Sequence, residues 1–174
     1  MNWTEMLTCE VEGVYHATEG LLKLVKKDTL GWKPATGSNW MTVGQLLAHI
    51  PTACGFCMNG FLTGEWGMPE PKPGEAPKPD DMLPPADKMP SAKTVASIVK
   101  ALAADKALAL QCIQKAGEKA LTSKKVAAPW DPTPTVLGVQ FLHMIGHLST
   151  HKNQLFYYLK LQGLPVHTGH LYGM

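Results

Sequence analysis

HMIGHLSTHKNQLFYYLKLQGLPV, residues 143–166, runs for about six turns of α-helix before its first proline at Pro165. Three of the seven histidines, His143, His147 and His151, fall at i, i+4 and i+8, one above another on a single helical face. Gly163, with Pro165 two residues later, marks the end of this helix. Thr133 followed by Pro134 supplies the expected cap and first helical residue at its start.

Three further segments have helical length and apolar spacing. Residues 91 to about 120 carry Val95, Ile98, Leu102, Leu108 and Ile113 on one side and lysines on the other, with Ser91 as the expected cap. Before it, EWGMPEPKPGEAPKPDDMLPPADKMP (residues 65–90) holds eight of the fourteen prolines, a semi-rigid stretch that can span the length of a bundle. Thr42-Val43-Gly44-Gln45 has the spacing of a capping box, so a helix starts near Val43, passes through Leu46, Leu47 and Ile50, bends at Pro51 and fades near Gly60 to Gly64. The first helix is expected from about Trp3 to Lys27, with Met6, Val14, Ala17, Leu21 and Leu24 inward and Glu5, Glu12 and Glu19 outward. No segment alternates with period two. The expected class is therefore all-α: a four-helix bundle, one domain over residues 1–174, with a long Pro-rich crossover between helices two and three.

Composition narrows the partners. All sixteen basic residues are lysines, against fourteen acidic ones, and there is no arginine. Without the guanidinium fork the chain lacks the usual reader of guanine edges and phosphates, so nucleic acid is not an expected partner. No window reaches the ~20 apolar residues of a membrane span. The N-terminal MNWTEMLTCEVEG has no basic region ahead of an apolar run, so no leader is expected and the cytoplasm is the expected compartment. Cys9, Cys54, Cys57 and Cys112 are too few and scattered for a disulfide framework. A homodimer acting on a small-molecule substrate is the expected assembly.

Two imidazoles four apart on a helix can reach one metal ion, and His147 and His151 make such a pair. A third, His49, lies on helix two in the apolar setting of Gln45 to Ile50, where histidine packs no better than leucine. Three imidazoles from two helices would leave an open position and suit Zn²⁺, Ni²⁺ or Fe²⁺. The alternative is a set of core histidines held by ordinary hydrogen bonds, the reading given to His16, His167 and His170. His143 continues the stripe one turn further away and, with Lys152 and Tyr158, is a candidate to support the ligands from behind.

The segment at 143–166, followed by LYG, resembles the last helix of the DinB-like (YfiT-like) family of metal-dependent enzymes. That family ends in His-x-x-x-His-Arg-Gly-Gln-Leu, then Gly and a Pro- and Tyr-containing tail. GWKPATGSNWMTVGQLLAHI (residues 31–50) is similar to the family's second signature, a Trp- and Pro-containing loop before a helix with a single histidine. The resemblance implies a four-helix bundle whose divalent metal is held at His49, His147 and His151, and an activity as a thiol-dependent transferase or isomerase, or as a hydrolase. A low-molecular-weight thiol is then a candidate co-substrate. The family's Arg-Gly is Lys152-Asn153 here, which keeps a charge and loses the fork.

Carboxylates are scarce near the expected site. After Glu118 only Asp131 remains, and helix two has none before Glu65, although Glu10, Glu12 or Glu19 of helix one can enter the pocket. That scarcity favours an activated thiol over a base-assisted hydrolase, and no catalytic residue is assigned. A second candidate site is the C-x-x-C pair Cys54 and Cys57, expected inside or near the end of a helix, which would make the chain a thiol-disulfide redox protein. A non-catalytic bundle that binds a ligand or dimerises is the third reading.

Overall fold

A computed structural model describes residues 1–67 and 84–174. Most of the expected Pro-rich crossover, residues 68–83, lies outside the described residues.

Helix α1 (Trp3–Leu22) opens on a capping box in which Asn2 and Glu5 bond each other's backbone. Its core stripe is Leu7, Val11, Tyr15 and Leu22, with Leu21 beside it, while the expected Met6, Val14 and Leu24 flank the core half-buried. The helix stops at Leu22, short of the expected Lys27, as Leu24 and Val25 donate to carbonyls three residues back. Helix α2 (Val43–His49) begins with the predicted capping box, the Gln45 N–H donating to Thr42 Oγ1 at 3.2 Å and the Thr42 N–H to Gln45 Oε1 at 2.8 Å.

Pro51 does more than bend this helix. It lacks the N–H that would continue the ladder, so the chain tightens into a 3₁₀ turn (Ile50–Thr52) and breaks at Cys54 (φ −129°, ψ −76°). A separate helix, α3 (Gly55–Thr63), follows.

Helix α4 (Val95–Ser123) is capped by Thr94 instead of Ser91, the Ser97 N–H donating to Thr94 Oγ1 at 3.1 Å. It turns inward Ile98, Leu102, Ala109, Cys112 and Ile113 and is kinked at Gly117 (φ 65°, ψ 165°).

The expectation of no strands is corrected between α4 and the last helix. Strands β1 (Lys125–Ala128) and β2 (Asp131–Val136) pair antiparallel, with Lys125 opposite Val136 and Ala128 opposite Asp131. Thr133 and Pro134 thus belong to β2 and do not cap a helix. Leu137 N–H donates to Lys124 O at 2.8 Å, so Thr135, opposite Val126, also faces the partner strand, and an irregularity of register follows where the Thr133 N–H donates to Asp131 Oδ1 at 2.9 Å. Pro134 consequently turns its missing N–H to the open edge, where it costs no ladder bond, and Pro132 falls in the irregular part of the pairing. Helix α5 (Leu137–Leu161) follows directly and ends as predicted around Gly163, whose N–H donates to Lys160 O at 2.9 Å while Leu164 N–H donates to Leu159 O at 3.1 Å. A short helix not foreseen in the sequence, α6 (Thr168–Tyr172), packs back on α1 and α5.

Helix α1 packs on α4 and α5, and α3 on both of these, around one core that includes Met58, Phe141, Met144 and Leu148. The described residues are all-α apart from the hairpin. Among the described residues no helix is long and apolar enough to cross a membrane.

Candidate metal centre

The break at Pro51 makes His49 the last residue of α2, facing α5 where His147 and His151 stand one turn apart. All three rings are half-buried, and one nitrogen from each lies within 4.8 Å of the others. The Nε2 of His147 is 3.4 Å from that of His49 and 2.9 Å from that of His151.

The hydrogen bonds behind the rings determine what those nitrogens carry. A carbonyl oxygen can only accept, so His147 Nδ1, 3.1 Å from Ala53 O, carries the proton, and a neutral ring then has a bare Nε2. A longer chain fixes His151. Tyr158 donates its hydroxyl proton to Met41 O at 2.9 Å and accepts from Gln154 Nε2 at 3.2 Å. This turns Gln154 Oε1 towards His151 Nδ1, 3.2 Å away, which must donate. His151 Nε2 is bare as well. Trp32 and Trp40 pack edge-on against Tyr158, with ring centroids 5.3 and 6.3 Å away, and hold the far end of this chain.

Burial also keeps the rings neutral. It lowers the pKa of His49 to about 4, with His151 and His147 adding to the effect, and pushes His147 and His151 below the ordinary imidazole value. Two bare lone pairs therefore face each other at 2.9 Å, an arrangement that repels unless a cation lies between them. The separations suit donors sharing one ion at bond lengths of ~2.0–2.1 Å.

Of the residues expected behind the three rings, Tyr158 is joined to His151 through Gln154, a residue not foreseen in the group although it lies three positions after His151. His143 is exposed and is not part of the three-ring group. Lys152 is buried but serves the C-terminal segment, its Nζ donating to Leu171 O at 2.8 Å and lying 5.7 Å from the Tyr172 ring centre. The helix-one carboxylates stay out of the group: Glu10 is exposed, Glu12 pairs with Lys106, and Glu19 pairs with Lys23 at 2.6 Å. No Asp or Glu joins the three rings among the described residues.

The C-x-x-C pair is placed differently from the expectation. Cys54 occupies the N-cap position of α3 without a side-chain capping bond, the place at which a helix end acidifies a redox thiol, yet both thiols are buried and free of disulfides. Burial, then the charge of Asp105, pushes Cys57 up to about 12, and burial pushes Cys54 well above its ordinary value.

The family model of the DinB superfamily matches residues 10–155, a span that holds all three histidines and Gln154. Neither the curated proteins nor the solved structures give a match.

Proposed function

This chain belongs to the DinB superfamily, and on that premise we propose that it is a metal-dependent enzyme in which His49, His147 and His151 hold one divalent ion. The substrate is a small molecule, and the reaction is thiol-dependent transfer or hydrolysis. The observation that supports the reading most is the pair of bare Nε2 atoms held 2.9 Å apart by Ala53 and Gln154. A histidine held only by ordinary hydrogen bonds would instead give its second nitrogen a donor, from the protein or from water.

A first-row divalent cation held by these three rings would lower the pKa of a bound water or thiol towards ~7 and would polarise a carbonyl. The chain's part is to present three neutral ligands, which leave the ion's double charge undiminished, and to keep them neutral by burial. Ala53 O and Gln154 aim two of the rings and hold their protons on the far nitrogens. With no carboxylate in the group among the described residues, a nucleophile that needs no separate base fits best, which favours thiol transfer. The high thiol pKa values of Cys54 and Cys57 speak against the redox reading.

Metal analysis of the untagged protein tests the proposal. One Zn, Ni or Fe per chain is expected, with its loss in His147→Ala and His151→Ala and its retention in the Cys54→Ser, Cys57→Ser double variant. A wild-type chain that is metal-free as isolated and takes up none of these ions on titration would sink it.

A further inference from the structure

The start of α3 is seated on a buried carboxylate. Asp105, on α4, accepts from the Gly55 N–H at 3.0 Å and the Phe56 N–H at 2.7 Å, two of the N–H groups that a helix leaves without internal partners. Tyr15, on α1, donates its hydroxyl to the same carboxylate at 2.5 Å and lies 3.2 Å from the Gly55 nitrogen. Asp105 and Tyr15 are both buried. The fit is close: a Cβ added at Gly55 would overlap the Asp105 carbonyl oxygen, so glycine is what allows α3 to approach α4 here. Three elements thus converge on the residue that follows the break.

Two residues before Gly55 is Ala53, whose carbonyl accepts from His147. Its direction depends on the path of the chain from Pro51 to Gly55, and that path is pinned at one end by His49 on α2 and at the other by Asp105. We propose that Asp105, braced by Tyr15, is a positioning residue for the three-histidine centre, seating the start of α3 so that the Ala53 carbonyl holds the proton of His147 on Nδ1. The consequence for metal binding rests on the function proposed above, whereas the effect on His147 does not.

Asp105→Asn keeps the size of the side chain but sets an NH₂ against one of the two backbone N–H groups, so one of them loses its acceptor. The control is Gly117→Ala, about three turns along α4, which strains the backbone away from the brace. Two readouts are needed: the His147 tautomer in metal-free protein, from the ¹⁵N NMR shifts of its ring nitrogens, and the affinity for Zn²⁺, from chelator competition. In the wild type and in Gly117→Ala, His147 is expected as the Nδ1–H tautomer alone. In Asp105→Asn it becomes a mixture, and Zn²⁺ affinity falls about tenfold or more.

A folded Asp105→Asn protein with the wild-type tautomer overturns the proposal, as does one with wild-type Zn²⁺ affinity. If the wild type itself binds none of Zn²⁺, Ni²⁺ and Fe²⁺, the proposed function falls and the tautomer alone decides the brace. Should Asp105→Asn fail to fold, Tyr15→Phe, which removes only the hydroxyl, takes its place: a shifted tautomer supports the brace and an unshifted one contradicts it.

Discussion

Gln154 is the residue whose role the three histidines alone do not show. It stands three positions after His151 and passes a hydrogen-bond direction from the Met41 carbonyl through Tyr158 to the ring. Gln154→Ala frees His151 to carry its proton on either nitrogen, so Zn²⁺ affinity should fall about 10–100-fold while the fold persists. Chelator competition measures it, and an unchanged affinity would contradict the role given to the tautomer. His49 was legible in the sequence because an imidazole amid Leu46, Leu47 and Ile50 needs a reason to be there. The Gln154 chain was not, since its anchor at Met41 lies 117 residues from Tyr158 and only the fold joins them. His143 shows the opposite limit: helical spacing puts it on the stripe, but the partner helix does not reach it.

Among the elements, α4 depends on a glycine that the apolar pattern of the sequence passes over. Gly117 has φ 65° and ψ 165°, a region closed to side chains, and a Cβ there would meet nothing within 4 Å. Gly117→Ala should therefore cost about 1–3 kcal/mol from the backbone alone, read as a shift of the denaturant midpoint. Wild-type stability in that variant would remove the kink from the account.

The kink presents Glu118 to the start of α1. There its carboxylate accepts from the Trp3 and Thr4 N–H groups, both at 3.1 Å, and from the Thr4 hydroxyl at 3.2 Å. Slight burial opposes ionisation, but the bonds from Thr4 and Trp3 hold the carboxyl below its ordinary value. The unfolded chain then binds the proton first as pH falls, so the stabilisation is present above the unfolded value of ~4.3 and is lost as pH drops through the lowered folded value. Comparing Glu118→Gln with the wild type at pH 7 and pH 3 should show a wild-type advantage at the first that shrinks at the second. An advantage independent of pH would assign it to something other than the charge.

The capping box at Thr42 and the end at Gly163 were legible because each is a local signal. The hairpin was not: Pro132 and Pro134 argue against a strand until the pairing puts Pro134 at the open edge and Pro132 in an irregularity of register. Pro51 signalled a bend, but the full break needed Asp105 to restart α3 from another helix.

For the molecule as a whole, the core and the candidate site have one origin. The packing that buries the faces of α1, α4 and α5 also brings His49 to two residues 98 and 102 positions away. The class was readable from periodicity, since four apolar helical segments without alternation have few ways to bury their faces other than on one another.

The central claim is that three imidazoles, and no thiol, hold the ion. X-ray absorption at the metal edge of the loaded wild-type protein tests it most directly. The account predicts nitrogen scatterers at ~2.0–2.1 Å with the outer-shell pattern of imidazole rings and no sulfur contribution from the protein. A sulfur shell at ~2.3 Å that persists without added thiol would place the ion on cysteine and contradict the account.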